Sequence, residues 1–305
     1  MIKIYRVYII FALILPTLLN SQQLPQFTQY MFNTIAINPA YAGVKGKMNI
    51  SFLNRNQWVG VNGAPVTQTL AVHSGIPGSK VGVGLSLIHD KLGYENNTFI
   101  YADFSYTIDF ERDYKLSFGI KAGMNKYGLE NELLTNPDAI GDQYLDNIFN
   151  DWKPNIGLGL FYRNEEWFLG VSSPRLFEFK NNSGIEYLSI ERVSYYINGG
   201  YLLEFNPQLY FKPTFLVKFT NGATPSVDLT ANFLFNDKFW TGLSYRLGDA
   251  LGGYISLQAT DNMKFGYAYE FVTSDISPYT SGSHEMFISY EFNFPRPKCK
   301  CKHLE

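Results

Sequence analysis

Side chains able to do chemistry are few and scattered in this sequence. Its histidines are His73, His89, His284 and His303, and its cysteines are Cys299 and Cys301. Acyl transfer needs a nucleophile with a base within hydrogen-bond reach, and only Ser283-His284-Glu285 gathers such types locally. Neighbours on a strand point to opposite faces, so a polar start to a strand is the plainer reading of that triplet. Glu165 and Glu166 would diverge in the same way. No Gly-x-Ser-x-Gly elbow occurs, and neither does a dinucleotide fingerprint or a phosphate loop. Cys299 and Cys301 stand too close in sequence for an unstrained disulfide, and with His303 they lack a fourth zinc ligand. Asp138, Asp142 and Asp146 would share one face of a short helix over 137–149 that begins after Asn136. No glycine there follows calcium-loop spacing. These residues leave a non-enzymatic chain with no cofactor.

The 25 Lys and Arg nearly balance the 27 Asp and Glu, which argues against nucleic acid as a partner. Lys3 and Arg6 precede an apolar stretch from Val7 to Leu19, broken by Pro16. That stretch is too short to cross ~30 Å of hydrocarbon as a helix. It fits the core of a secretion signal over 1–21, cleaved after Ser21. No later run reaches about 18 apolar residues, so no helical span is expected.

The rest of the chain alternates. Tyr114, Leu116, Phe118, Ile120, Ala122 and Met124 interleave with Lys115, Ser117, Gly119, Lys121, Gly123 and Asn125. A strand puts those sets on opposite faces, whereas a helix would mix them. The same rhythm recurs in about fourteen segments of about ten residues each, the spacing expected of outer-membrane strands. They lie near 47–58, 66–76, 80–89, 98–109, 114–126, 154–164, 166–173, 189–205, 208–219, 226–236, 238–247, 252–260, 263–273 and 284–294. Pro77-Gly78-Ser79, Phe110 to Asp113, Asn164-Glu165, Asn206-Pro207, Asn236-Asp237 and Asp261-Asn262 are tight turns. The alternate links are mostly longer, with 127–153, 174–188 and 274–283 the longest. Outer-membrane barrels pair short periplasmic turns with long outer loops and keep both termini periplasmic. A soluble double-sheet protein could match strand by strand, but not that alternation. The sequence therefore predicts an all-β fold, a transmembrane antiparallel outer-membrane β-barrel over 47–294, with a basic periplasmic tail over 295–305.

Gly82, Gly84, Gly119, Gly123, Gly157, Gly159, Gly242 and Gly266 all fall on the inward face in this register. Strand glycine marks either coiling or the close approach of another backbone. The second reading makes the lead-in segment 22–46 a plug, with Phe27, Tyr30, Phe32, Asn38, Pro39 and Tyr41 as its candidate residues. Lys115, Lys121, Lys212, Lys218, Arg246 and Lys264 face the lumen with Asp228, Glu270, Glu285 and Glu291. Such mixed charges pair with one another or with a plug, or else line a polar channel.

Several blocks in order resemble one family. Gln26-Phe27-Thr28-Gln29-Tyr30-Met31-Phe32-Asn33, then Ile37-Asn38-Pro39-Ala40-Tyr41-Ala42-Gly43, is similar to the N-terminal signature of the PorP/SprF family of type IX secretion membrane proteins of Bacteroidota. Arg55-Asn56-Gln57-Trp58 with Gly63-Ala64-Pro65, Val81-Gly82-Val83-Gly84, Gly266-Tyr267-Ala268-Tyr269 and Gly282-Ser283-His284-Glu285 resemble its later blocks. Thr34-Ile35 departs from the Pro-Leu-like pair expected there. The resemblance implies an outer-membrane barrel, in contact with membrane lipid, that works with the type IX export and gliding machinery. It further implies export, or retention at the surface, of a large adhesin-like cargo bearing a type B C-terminal domain. Partners would include that cargo domain and the translocon or periplasmic ring components. The longest loops are the natural contact surface, with Phe177 and Phe179 as apolar anchors. A passive outer-membrane channel for small or hydrophobic solutes is the alternative.

Overall fold

The computed structural model describes residues 26–110, 113–135, 137, 151–180 and 190–292. The secretion signal, the helix and acidic residues over 138–150, part of the loop after Phe179, and the tail with Cys299, Cys301 and His303 lie outside those residues.

The strands form one closed antiparallel ring. They are β1 (Met48–Asn56), β2 (Val66–Gly75), β3 (Val81–Leu92), β4 (Glu95–Asp109), β5 (Lys115–Leu129), β6 (Trp152–Arg163) and β7 (Trp167–Ser173). A two-residue pair, β8 (Phe179–Lys180) with β9 (Ile190–Glu191), stands outside the ring. The ring resumes with β10 (Ser194–Tyr201), continued by β11 (Leu203–Asn206), then β12 (Leu209–Thr220), β13 (Ser226–Phe235) and β14 (Phe239–Arg246). It ends with β15 (Ala250–Gln258), β16 (Met263–Val272) and β17 (Ser283–Phe292). Counting β10 and β11 as one, fourteen strands close when β1 pairs with β17, from Met48 opposite Phe292 to Asn56 opposite His284. Closure leaves the ring no edge strand, which is what crossing lipid demands.

Two of the sequence-based boundaries shift. Asn96 and Asn97, expected in a longer link, pair with Lys91 and Asp90, so β3 and β4 join through Gly93-Tyr94 alone. The eighth strand starts at Ser194 rather than near 189 and breaks at Leu202. On the short-turn side, Asn236 and Asp237 both take positive φ and Lys238 N–H closes back on Phe235. That geometry matches the twist of a hairpin.

Alternation sorts the wall cleanly. Outward-facing Leu243 is 66% exposed, Met286 58% and Phe271 56%. A continuous surface of this kind is stable only against hydrocarbon. Aromatic clusters Tyr114–Tyr162–Trp167, Phe205–Phe211–Phe233 and Tyr290–Phe292 gird the short-turn side of that band. Among the described residues no helix is long and apolar enough to cross a membrane.

Inside, the ring is not empty. About eight strands enclose a space that side chains fill, and about sixteen leave an aqueous channel. Fourteen leave room that side chains alone do not occupy. Residues 26–47 run through that space in short turns: Tyr30–Phe32, Thr34–Ile37 and Pro39–Tyr41. Phe27, Tyr30, Ile37, Leu53, Tyr196, Leu216 and Phe287 form the apolar core between segment and wall.

Candidate functional site

Each inward glycine of the candidate set on β3, β5 and β6 meets something close. A Cβ on Gly119 would lie 2.1 Å from the Ala40 nitrogen, and one on Gly82 would lie 2.1 Å from the Ala42 oxygen. On Gly159 it would strike the Asn38 side chain, on Gly84 the Ile35 side chain, and on Gly157 the Pro174 backbone. Gly123 and Gly242 are crowded by the wall itself, through Ile100, Tyr101 and Tyr254. Close approach explains the first group, and wall packing the second.

The lead-in segment is held from all round the ring. Glu285 of β17 accepts from the N–H groups of Thr28 (2.9 Å) and Gln29 (2.8 Å). Glu270 of β16 accepts from the Thr28 hydroxyl at 2.6 Å. Lys121 of β5 donates to the Ile35 carbonyl, and Ser172 of β7 to the Ile37 carbonyl. Asn38 caps the Pro39 turn through Ala40 N–H, and its amide reaches the Leu160 carbonyl of β6. Ser105 of β4 donates to the Ala42 carbonyl. Tyr30 and Thr214 of β12 share a 2.8 Å hydrogen bond. Phe32 stacks on Phe287, and Tyr41 meets Phe161 edge-on.

Buried charges of both signs surround this segment and compensate one another. Arg55 pairs with Glu270 and Glu285, while Arg246 pairs with Asp228 at 2.7 Å and with Glu270 at 3.4 Å. Lys121 pairs with Asp103 at 2.9 Å. Unpaired, such buried charges would cost several kcal/mol each. Sequence reasoning placed Lys121, Arg246, Asp228, Glu270 and Glu285 on the lumen face but missed Arg55 and Asp103. Arg55 sits in the wholly polar run Asn54–Gln57, where no alternation shows its face, though its two-residue offset from inward Leu53 would have given it.

The chain direction inside is informative. The segment leads into β1 at Met48, at the short-turn mouth. It begins, among the described residues, at Gln26 against Ser226 and Asp228, near the long-loop mouth. β17 ends at Phe292 on the short-turn side.

Catalytic possibilities fare differently. Ser283 and Glu285 point inward whereas His284 points outward, its Nδ1 2.6 Å from the Tyr267 hydroxyl. The wall stands between them. His89 faces out and hydrogen-bonds Thr98, while Asp90 faces in and accepts from Thr67. Among the described residues no three His, Cys, Asp or Glu side chains are grouped to hold a metal ion.

At the rim, Phe177 is held by its backbone: Asn155 accepts from its N–H at 3.0 Å and donates to its carbonyl at 2.9 Å. Its ring is 45% exposed. Phe179 is half-buried under the Lys153 ammonium, in the short pair β8–β9. The two therefore present different surfaces, one free ring and one tethered.

A family model described as type IX secretion system membrane protein PorP/SprF matches residues 19–290. No curated protein matches the sequence. Among solved structures the chain is similar to the CymD monoaromatic hydrocarbon channel, at a TM-score of 0.53 and 12% identity over 90% of this chain and 95% of that one. It is also similar to a TodX deltaS2S3 mutant monoaromatic hydrocarbon channel, at 0.49 and 9% over 90% and 96%. Likeness this distant speaks for the fold alone.

Proposed function

This chain belongs to the PorP/SprF family of type IX secretion system membrane proteins, and from that premise we propose that it is a docking barrel rather than a conduit. On this reading it helps export a large adhesin-like cargo, or retains it at the cell surface. The cargo's type B C-terminal domain is held at the long-loop rim, and the translocon or periplasmic ring components are neighbours. Secretion would proceed with the signal peptide removed and the short turns in the periplasm.

One observation carries the choice. Residues 26–47 hydrogen-bond to strands from every side of the ring. With that segment acting as a plug, neither a folded domain nor an extended chain has room to pass. Engagement must then occur on an outer surface. Loops on a rigid scaffold are where binding residues concentrate, and the exposed ring of Phe177 offers an apolar anchor there. A passive channel for small or hydrophobic solutes is the second reading, favoured only by the channel-like fold of the CymD relative. A lumen plugged by residues 26–47, as this reading has it, would oppose it. Affinity capture of the intact barrel from outer membranes, with mass spectrometry of what co-purifies, tests the proposal. A cargo with a C-terminal targeting domain should be recovered, and recovery of the barrel alone after crosslinking would contradict it.

A further inference from the structure

The short-turn mouth carries charge that the network deeper in the lumen does not balance. Lys212 is the fourth residue of β12 after the Pro207-Gln208 turn, and Lys264 the second residue of β16 after the Asp261-Asn262 turn. Both point inward at this mouth. Lys264 Nζ sits 5.0 Å from the Phe32 ring centroid and 5.8 Å from that of Trp240, and Lys212 Nζ sits 5.1 Å from that of Phe168. Ring faces attract cations but leave their positive charge uncompensated. Lys45, at the foot of the lead-in segment, lies within electrostatic reach of both lysines. Arg163, the last residue of β6, reaches the Val44 carbonyl. Against these four cations stand, among the described residues, Glu291, already bonded to Lys45 at 2.7 Å, and Asp109 at the end of β4, which lies within electrostatic reach of Arg163 and is itself paired with Lys80.

We propose that Lys45, Arg163, Lys212 and Lys264 form a receptor at the short-turn mouth for an acidic peptide segment of a partner protein. Like charges gathered at a partly solvated opening repel one another, and an anionic chain relieves that repulsion on binding. The aromatic floor of Phe32, Phe168 and Trp240 fixes the ammonium groups, so fewer rotamers are lost when the ligand arrives. The protein's own tail is no candidate, because 295–305 is basic. Carboxylates spaced along an extended strand would meet several lysines at once, which a single free anion cannot do.

The test uses the full chain in detergent micelles and a fluorescein-labelled hexaglutamate peptide, followed by anisotropy. Wild-type protein should bind it, and binding should weaken as salt rises. Lys212→Gln with Lys264→Gln should weaken it about tenfold or more, while Lys212→Arg with Lys264→Arg, which keeps the charge, should retain it. Lys91→Gln with Lys126→Gln, at the opposite mouth, should leave affinity unchanged. Equal hexaglutamate affinity in the Gln double variant, or equal binding of labelled hexalysine, would overturn the proposal. Heat-modifiable gel mobility of each variant reports that the barrel is folded.

Discussion

Arg55 and Glu285 stand opposite one another across the seam where the first strand meets the last, and the same carboxylate takes two N–H groups of the lead-in segment. One side chain therefore serves both the closing of the ring and the fastening of what lies inside it. Removing either partner leaves a buried charge or buried donors without compensation.

Arg55→Met should destabilise the barrel by ~3–5 kcal/mol, because Glu285 then keeps its charge with no cation beside it. Arg55→Met combined with Glu285→Gln should recover part of that loss. Unfolding by urea in micelles, followed by tryptophan fluorescence, measures both. Equal loss in the single and double variants would show that the two side chains do not act as a pair.

Gly119→Val should displace the lead-in segment, since the atoms its Cβ would meet first belong to Pro39 and Ala40. Protease added to the folded variant should then cut within residues 26–44, which are buried or half-buried in the wild type. Gly253→Ala is the control, because its nearest neighbours would lie at 3.7 Å. Protection unchanged in Gly119→Val would mean that the segment is not pressed against β5.

Phe177→Ser with Phe179→Ser should release the cargo into the medium at unchanged barrel abundance. Phe177→Ser alone should have most of the effect, because the Phe179 ring is already engaged by Lys153. Quantitative blotting of cells against medium reads this directly. Full surface retention in the double variant would remove these residues from the docking surface.

The wall was legible because period-two alternation survives wherever one face meets lipid. It failed at strand ends beyond that band. Asn96 and Asn97 look like loop formers, yet their backbone is simply paired above the apolar region. The break at Leu202 comes just after Tyr201, which the register sets opposite Pro213, a residue that offers no N–H to the ladder. The inward glycines were visible in sequence, but whether backbone or wall pressed on them was not. Contacts between residues two hundred positions apart, such as Gln26 with Ser226, leave no trace in spacing. The Ser283-His284-Glu285 triplet shows the converse, a promising adjacency that strand geometry takes apart.

Single-channel conductance in planar bilayers, comparing the whole mature chain with one lacking residues 26–45, tests most directly the proposal that this segment plugs the lumen. The whole chain should give little or no steady conductance and the deletion a stable, several-fold larger one. Identical conductance from the two would mean that the segment does not obstruct the bore, and the docking-barrel reading would lose its footing.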